Sequence, residues 1–198
     1  MRKLLLGNEA IARGVYEAGA RVASAYPGTP STEITEYIAK YDDIYSEWAP
    51  NEKVALEVAI GASVAGARAC CAMKHVGLNV AADPLFTASY TGVNGGLVIF
   101  VADDPGMHSS QNEQDTRIIA MGAKVPVLEP SDSSECKEFT KKAFEISEEF
   151  DTPVIVRLTT RVAHSKGLVE LEDRDEVEIK PYVRDPSKYV MMPGMARK

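Results

Sequence analysis

Leu97–Ala102 reads LVIFVA, an apolar run with no polar alternation. A strand that is apolar on both faces is buried on both faces, as in a parallel sheet covered by helices. Gly92–Gly96 precedes it as a turn, and Asp103–Gln114 follows it as a long polar loop. On both sides of this run, short strand patterns alternate with helical ones, which predicts an α/β fold: a three-layer αβα arrangement around a mostly parallel sheet. Strands are expected at Val22–Tyr26, Ile44–Trp48, Arg68–Met73, Val125–Leu128 and Pro153–Leu158. Helices are expected over Gly7–Gly19, from Ser31 or Thr32 to about Tyr41, and over Leu78–Ser89, where Pro84 should perturb the helix. Further helices are expected over Asp115–Ala123 and from Ser131 or Asp132 to Phe150, with Glu135 supporting that start.

The chain's 198 residues suit one domain, with enough chain for a sizeable core. A net charge of -7, without a Lys/Arg cluster, argues against a nucleic-acid or anionic-membrane surface. The apolar start Leu4-Leu5-Leu6 ends at Gly7-Asn8-Glu9, too short for a signal peptide, and no run is long enough to span a bilayer. Cys70, Cys71 and Cys136 form no CxxC pair, which fits buried thiols in a reducing cytoplasm and excludes an iron–sulfur motif in this chain. Residues 1–165 carry the domain pattern. From Gly167 the character changes: Glu172–Glu176 is a charge run that reads as solvated, and Val177–Ile179 is at most a stray strand. Met191–Lys198 has no core pattern, so 166–198 reads as a linker or tail towards further domains.

Asn51–Ala67, NEKVALEVAIGASVAGA, stands apart from the other helices. Asn51 is a plausible cap, and Glu52 suits the positive end of the helix dipole, which explains it structurally. Beyond Val54, Glu57 is the only charge up to Ala67, with Leu56, Val58, Ala59, Ile60, Val64 and Ala65 around it. A helix apolar nearly all round is buried. A buried acid is costly unless protonated or partnered, so Glu57 reads as aimed at a docked group or held in an ion pair.

In an open parallel sheet, ligands bind beyond the carboxyl ends of the strands. The loops there are Pro27–Ser31, His75–Asn79, Asp103–Gln114, Pro130–Ser134 and Thr159–His164. The prolines stiffen the first loop, Gly28 frees its backbone, and Thr29 is held as a donor or acceptor. The third is too long for a plain connection, and such loops are often functional. A metal site from Asp103, Asp104 and His108 matches no standard spacing, so no metal ligand is assigned. No GxGxxG follows a strand and no GxxxxGK[ST] is present, so dinucleotide and P-loop readings lack support.

Four segments together resemble one family. They are YPGTPSTE at Tyr26–Glu33, EVAIGASVAGARA at Glu57–Ala69, MKHVGLNVAADPL at Met73–Leu85 and HSSQNEQDTR at His108–Arg117. They look like the pyrimidine-binding domain of thiamine diphosphate-dependent 2-oxoacid:ferredoxin oxidoreductases, and most closely the alpha subunits of the indolepyruvate (arylpyruvate) type. The resemblance implies oxidative decarboxylation of an arylpyruvate to an acyl-CoA, with electrons passing to ferredoxin. It implies thiamine diphosphate with Mg2+ held by another domain, and 4Fe-4S clusters elsewhere in the enzyme. In the family a buried glutamate hydrogen-bonds the aminopyrimidine and promotes its imino form; that role maps onto Glu57.

The resemblance further implies cofactor contacts from Pro27, Gly28, Thr29, His75, Val76, Gly77 and Asn79. It implies a substrate pocket including Thr29, Asp104, His108, Gln111 and Asn112. Pyruvate-specific relatives carry an arginine after the central strand; here that place reads Ala102-Asp103-Asp104, which leaves the substrate carboxylate without an assigned partner. The implied partners are the diphosphate- and cluster-binding domains or subunits, ferredoxin, coenzyme A and a second copy of the chain. The isolated chain is expected to be inactive, with an exposed apolar patch around Glu57 and Gly61. A 2-oxoglutarate or branched-chain 2-oxoacid enzyme remains an alternative, as does a non-catalytic interaction domain.

Overall fold

The computed structural model describes residues 1–197; Lys198, the end of the expected tail, lies outside the described residues. The central sheet has six strands: β2 (Val22–Ala25), β3 (Tyr45–Trp48), β4 (Ala69–Lys74), β5 (Leu97–Asp103), β6 (Val127–Leu128) and β7 (Val154–Thr159). Their order is β3-β2-β4-β5-β7-β6, and all five pairings are parallel. The apolar run Leu97–Ala102 lies in β5, between β4 and β7, and every residue of β5 is buried.

Alternate residues of each strand serve opposite layers, as pleating requires. Cys70, Ala72, Val98 and Phe100 face a core completed by α1 (Gly7–Glu17), α2 (Thr32–Ile38) and α7 (Ser133–Phe150). Cys71, Met73, Ile99 and Val101 face the other core, closed by α3 (Glu52–Val64), α4 (His75–Val80), α5 (Ala82–Thr91) and α6 (Thr116–Ala123). The thiols behave as small apolar side chains: burial pushes Cys70 and Cys136 up to about 12 and Cys71 well above the ordinary thiol value.

Local chemistry sets the helix starts. Asn51 accepts a hydrogen bond from the Val54 amide at 3.0 Å and caps α3 as expected. Asp132, rather than Ser131, caps α7 through the Glu135 amide at 2.9 Å, while the Glu135 carboxylate accepts from the Ser131 amide at 2.8 Å. Two segments expected as loops are short helices, α4 and α8 (Thr160–His164). Pro84 does not distort one long helix. The helix breaks at Ala81, and Pro84 falls in the first turn of α5, where a missing N–H costs nothing.

The boundary expected after residue 165 needs correction. Lys166–Glu170 forms β8, antiparallel to β1 (Arg2–Leu6), and Val169 is fully buried. Both strands went unseen because a two-stranded ribbon beside the main sheet lacks a long apolar run. Beyond it the chain is a strap across the amino-terminal end of the sheet. The Asp175 amide donates to the Glu17 carbonyl at 2.7 Å, and the Lys180 amide to the Gly66 carbonyl at 3.0 Å. The Glu172–Glu176 run thus keeps most side chains in solvent while its backbone is docked. Val177–Ile179 belongs to this strap and is not a strand. Lys188, in α9 (Pro186–Tyr189), donates to the Val93 carbonyl at 2.8 Å.

Candidate functional site

The loops after β2, β4 and β5 converge at the carboxyl end of the sheet. The YPGTPS turn is locked from within: the Gly28 amide donates to Thr32 Oγ1 at 2.9 Å, and the Ser31 hydroxyl donates to the Gly28 carbonyl at 2.7 Å. These hydroxyls turn back into the loop rather than capping α2, contrary to the expectation for that helix start. Asn8 fixes the far side by donating to the Pro30 carbonyl at 2.8 Å. Thr29 is left exposed, with no intramolecular hydrogen bond among the described residues.

The Asp103–Gln114 loop is held just as firmly. The Asp104 carboxylate, only 2% exposed, accepts from the Ser109 amide at 2.7 Å, the Ser110 hydroxyl at 2.6 Å and the Thr160 hydroxyl at 2.9 Å. Burial opposes its ionisation, but the Ser110, Ser109 and Thr160 donors and the Lys74 charge outweigh that and hold the carboxyl far below the usual range. A depressed folded value gives stability that is full above the unfolded value of about 4 and is lost as the pH falls through the folded value. Protection of the Ser109 amide should therefore persist as the pH is lowered through about 4. In Asp104→Asn it should fall about tenfold or more at neutral pH, in line with loss of a charge-assisted hydrogen bond. Amide hydrogen exchange against pH checks both.

Neighbouring Asp103 is spoken for. Its carboxylate accepts from Arg157 Nε at 2.7 Å and from the Thr116 hydroxyl at 2.5 Å, and Arg157 also pairs with Glu129. Arg157 is thereby committed to Asp103 and Glu129, with Asp115 a third carboxylate at 3.9 Å, towards the carboxyl end of the sheet.

Between the loops lies a cleft of about 480 Å³ lined by Lys74, Val76, Asn79, Gln111, Asn112 and Gln114, with Ser109 and Ser110. Four of the expected contact residues, Val76, Asn79, Gln111 and Asn112, meet here. Gly28 adjoins it through Lys74, since a Cβ on Gly28 would lie 3.3 Å from Lys74 Cβ, and Pro27 and Thr29 flank Gly28 in the same turn without lining the cleft. His75 sits beneath the loop: it is 1% exposed, its Nε2 is 3.2 Å from the Asn112 carbonyl, and its Nδ1 has no partner. Asp104 likewise supports the loop from below, and His108 is exposed on it. No cluster suited to a metal occurs among the described residues.

The expected burial of Glu57 is corrected. Glu57 is exposed, on the outer side of α3, beside a cavity of about 240 Å³ with Ile60, Val64, Pro84 and Tyr189. Gly61, one turn on, faces open space. The acid at the ligand end is Glu52. A Cβ on Gly77 would lie 2.7 Å from Glu52 Oε1, so the carboxylate rests directly against α4, which follows β4. Glu52 is half-buried and makes no hydrogen bond or ion pair among the described residues. Helix geometry separates the two acids: Glu57 lies about 7.5 Å further along α3 and about 140° round it. The missed signal was chain direction. A helix that follows a parallel strand starts at the ligand end, so its first turn faces the site.

The thiamine diphosphate-binding family model of pyruvate flavodoxin/ferredoxin oxidoreductases matches residues 13–195. The chain belongs to this family. It is 52% identical to the indolepyruvate oxidoreductase subunit IorA of Archaeoglobus fulgidus, over 98% of this chain and 33% of that protein. It is 54% identical to IorA of Thermococcus kodakarensis, over 100% of this chain and 32% of that protein. The 2-oxoglutarate synthase subunit KorA of Methanothermobacter thermautotrophicus is 30% identical over 86% of the chain. A solved 2-oxoglutarate:ferredoxin oxidoreductase from Magnetococcus marinus superposes with a TM-score of 0.77 at 22% identity, over 89% of this chain and 34% of that chain, and so shares the fold. The chain thus spans about a third of the length of the IorA relatives. No described helix is long and apolar enough to cross a membrane.

Proposed function

We propose that this chain binds the aminopyrimidine half of thiamine diphosphate within a larger 2-oxoacid:ferredoxin oxidoreductase of the arylpyruvate type. The observation that carries the reading is Glu52: an unpartnered, half-buried carboxylate pressed against Gly77 at the ligand end of a thiamine diphosphate-binding family fold. The site suits that group. Its acid is free to meet a basic ring nitrogen, and Gly77 lets the Glu52 side chain lie against its backbone, where any Cβ would displace it. When bound, thiamine diphosphate supplies the carbanion chemistry of decarboxylation.

The chain's own residues position and exchange protons. Glu52 would hold its carboxyl proton against a basic ring nitrogen of that group. Gly77, Val76 and Asn79 form the wall beside it, and Thr29 offers a free hydroxyl from a loop fixed by Asn8, Ser31 and Thr32. Glu57 has no part in this site. The diphosphate, its Mg2+ and the 4Fe-4S clusters belong to other domains or subunits, as do the contacts with ferredoxin and coenzyme A. The isolated chain is accordingly inactive. Phe86, Tyr90, Ile118 and Met121 leave apolar surface exposed on α5 and α6, in keeping with a piece of a larger assembly.

The arylpyruvate class rests on the names of the IorA relatives and on the lack of a free arginine after β5. The assembled enzyme should give a higher kcat/KM for indolepyruvate and phenylpyruvate than for pyruvate. A clear preference for pyruvate would sink the substrate assignment.

A further inference from the structure

We propose that Lys74 is the cation that takes the substrate carboxylate; this rests on the 2-oxoacid reading of the site. Lys74 ends β4 beside the central strand and is 8% exposed. Its ammonium carries three donors, yet the one intramolecular hydrogen bond it makes among the described residues goes to the Ser109 carbonyl, at 2.6 Å. No described carboxylate comes within ion-pairing distance, in contrast to Arg157, which has three. Asp104 is close enough to feel the Lys74 charge, but its oxygens are taken by Ser109, Ser110 and Thr160. A nearly buried ammonium with spare donors is an unfinished site, because leaving a charge unpaired away from water is costly.

Position adds a second argument. Among the described residues, Lys74 is the one charged residue lining the cleft, whose other polar residues are amides and hydroxyls. Its side chain runs under Gly28 and ends at Ser109, so it joins the two loops that carry Thr29 and Gln111. A 2-oxoacid seated there would set its carboxylate on Lys74 and its keto oxygen towards hydroxyl or amide donors, leaving the side chain for the mouth of the cleft. One cation matches one carboxylate. That suits an arylpyruvate better than 2-oxoglutarate, whose second carboxylate would find no charged partner among these residues. The one hint in the sequence is a lysine at the very end of an otherwise apolar strand, ACCAMK.

The test uses the assembled enzyme and Lys74→Gln, which keeps a polar donor on a shorter side chain but carries no charge. KM for phenylpyruvate should rise about tenfold or more, the size of a charge-assisted hydrogen bond, with a smaller change in kcat. Thiamine diphosphate affinity should be unchanged, and Lys74→Arg should recover part of the loss. Inhibition by the neutral amide of phenylpyruvate should be the same in wild type and Lys74→Gln. An unchanged KM, or an equal loss of affinity for the neutral amide, would overturn the assignment and leave Lys74 as a loop support. If Lys74→Gln fails to assemble, Lys74→Met and Lys74→Arg carry the same comparison. Should the enzyme prefer pyruvate, the arylpyruvate reading fails on its own, while the same variant measured with pyruvate still decides the role of Lys74.

Discussion

Glu52→Gln should lower turnover of the assembled enzyme by about two powers of ten or more, the range of a general acid–base group. Glu57→Gln should leave turnover near normal. The substitution at 52 keeps size and hydrogen-bonding shape but removes the carboxyl that exchanges a proton. The one at 57 alters an exposed side chain on the far side of the same helix. Cofactor affinity should fall less than turnover in Glu52→Gln, because the diphosphate and its metal are bound elsewhere. Gly77→Ala offers an independent arm. Its Cβ would sit 2.6 Å from Glu52 Cγ, so the carboxylate must move, and turnover should fall although the acid is retained. Steady-state kinetics of the three variants decide between the two acids. Loss at Glu57 with a normal Glu52 variant would reverse the assignment.

The contrast between these glutamates marks where sequence reading stopped. Periodicity and turn chemistry placed the parallel strands, the cap at Asn51, the α7 start at Ser131 or Asp132, and the loops that gather at the ligand end, because each rests on near-neighbour physics. Glu57 misled because its neighbours along the chain are apolar, whereas burial depends on which side of α3 meets the sheet. Ala55, Leu56, Ala59 and Ser63 form the buried side; residues 57 and 61 fall outside it. Glu52 was dismissed because the helix dipole already explained it. That same position, the first turn of a helix returning from a parallel strand, brings it to the ligand. Lys74 stayed hidden because its lack of a partner is a property of three dimensions. The family resemblance rests on ordered motifs, and moving the proposed acid from Glu57 to Glu52, just ahead of one of them, leaves that resemblance intact.

Ending the chain after residue 165 should destabilise the domain severely, although composition marks 166–198 as a tail. Three losses coincide. β1 loses its only pairing strand among the described residues, and Val169 leaves a fully buried site, worth about 1.5–3 kcal/mol. The third loss falls on Glu17, whose side chain is wholly buried on α1. Its carboxylate is held by Arg13 at 2.7 Å, by Lys137 at 3.2 Å and by the Glu172 amide at 2.8 Å. Lys137 in turn donates to the Glu170 carbonyl at 2.9 Å. Truncation removes the amide and that carbonyl together and opens the ion pair to water. It also removes Arg174, which donates to the Tyr16 and Ala20 carbonyls at 2.7 and 2.8 Å and so closes the end of α1. The combined cost should reach about 3 kcal/mol or more, a large share of the 5–15 kcal/mol that domains typically have. A chain ending after residue 190 retains β8, the Glu17 cluster and the whole strap, and should unfold at the midpoint of the full chain. Urea denaturation of the three lengths, comparing midpoint and slope, checks this. An unchanged midpoint for the chain ending at 165 would return the segment to a linker. A chain that ends at 165 and is already expanded in water would show that the strap is part of what positions α1, and with it Asn8 beneath the YPGTPS turn.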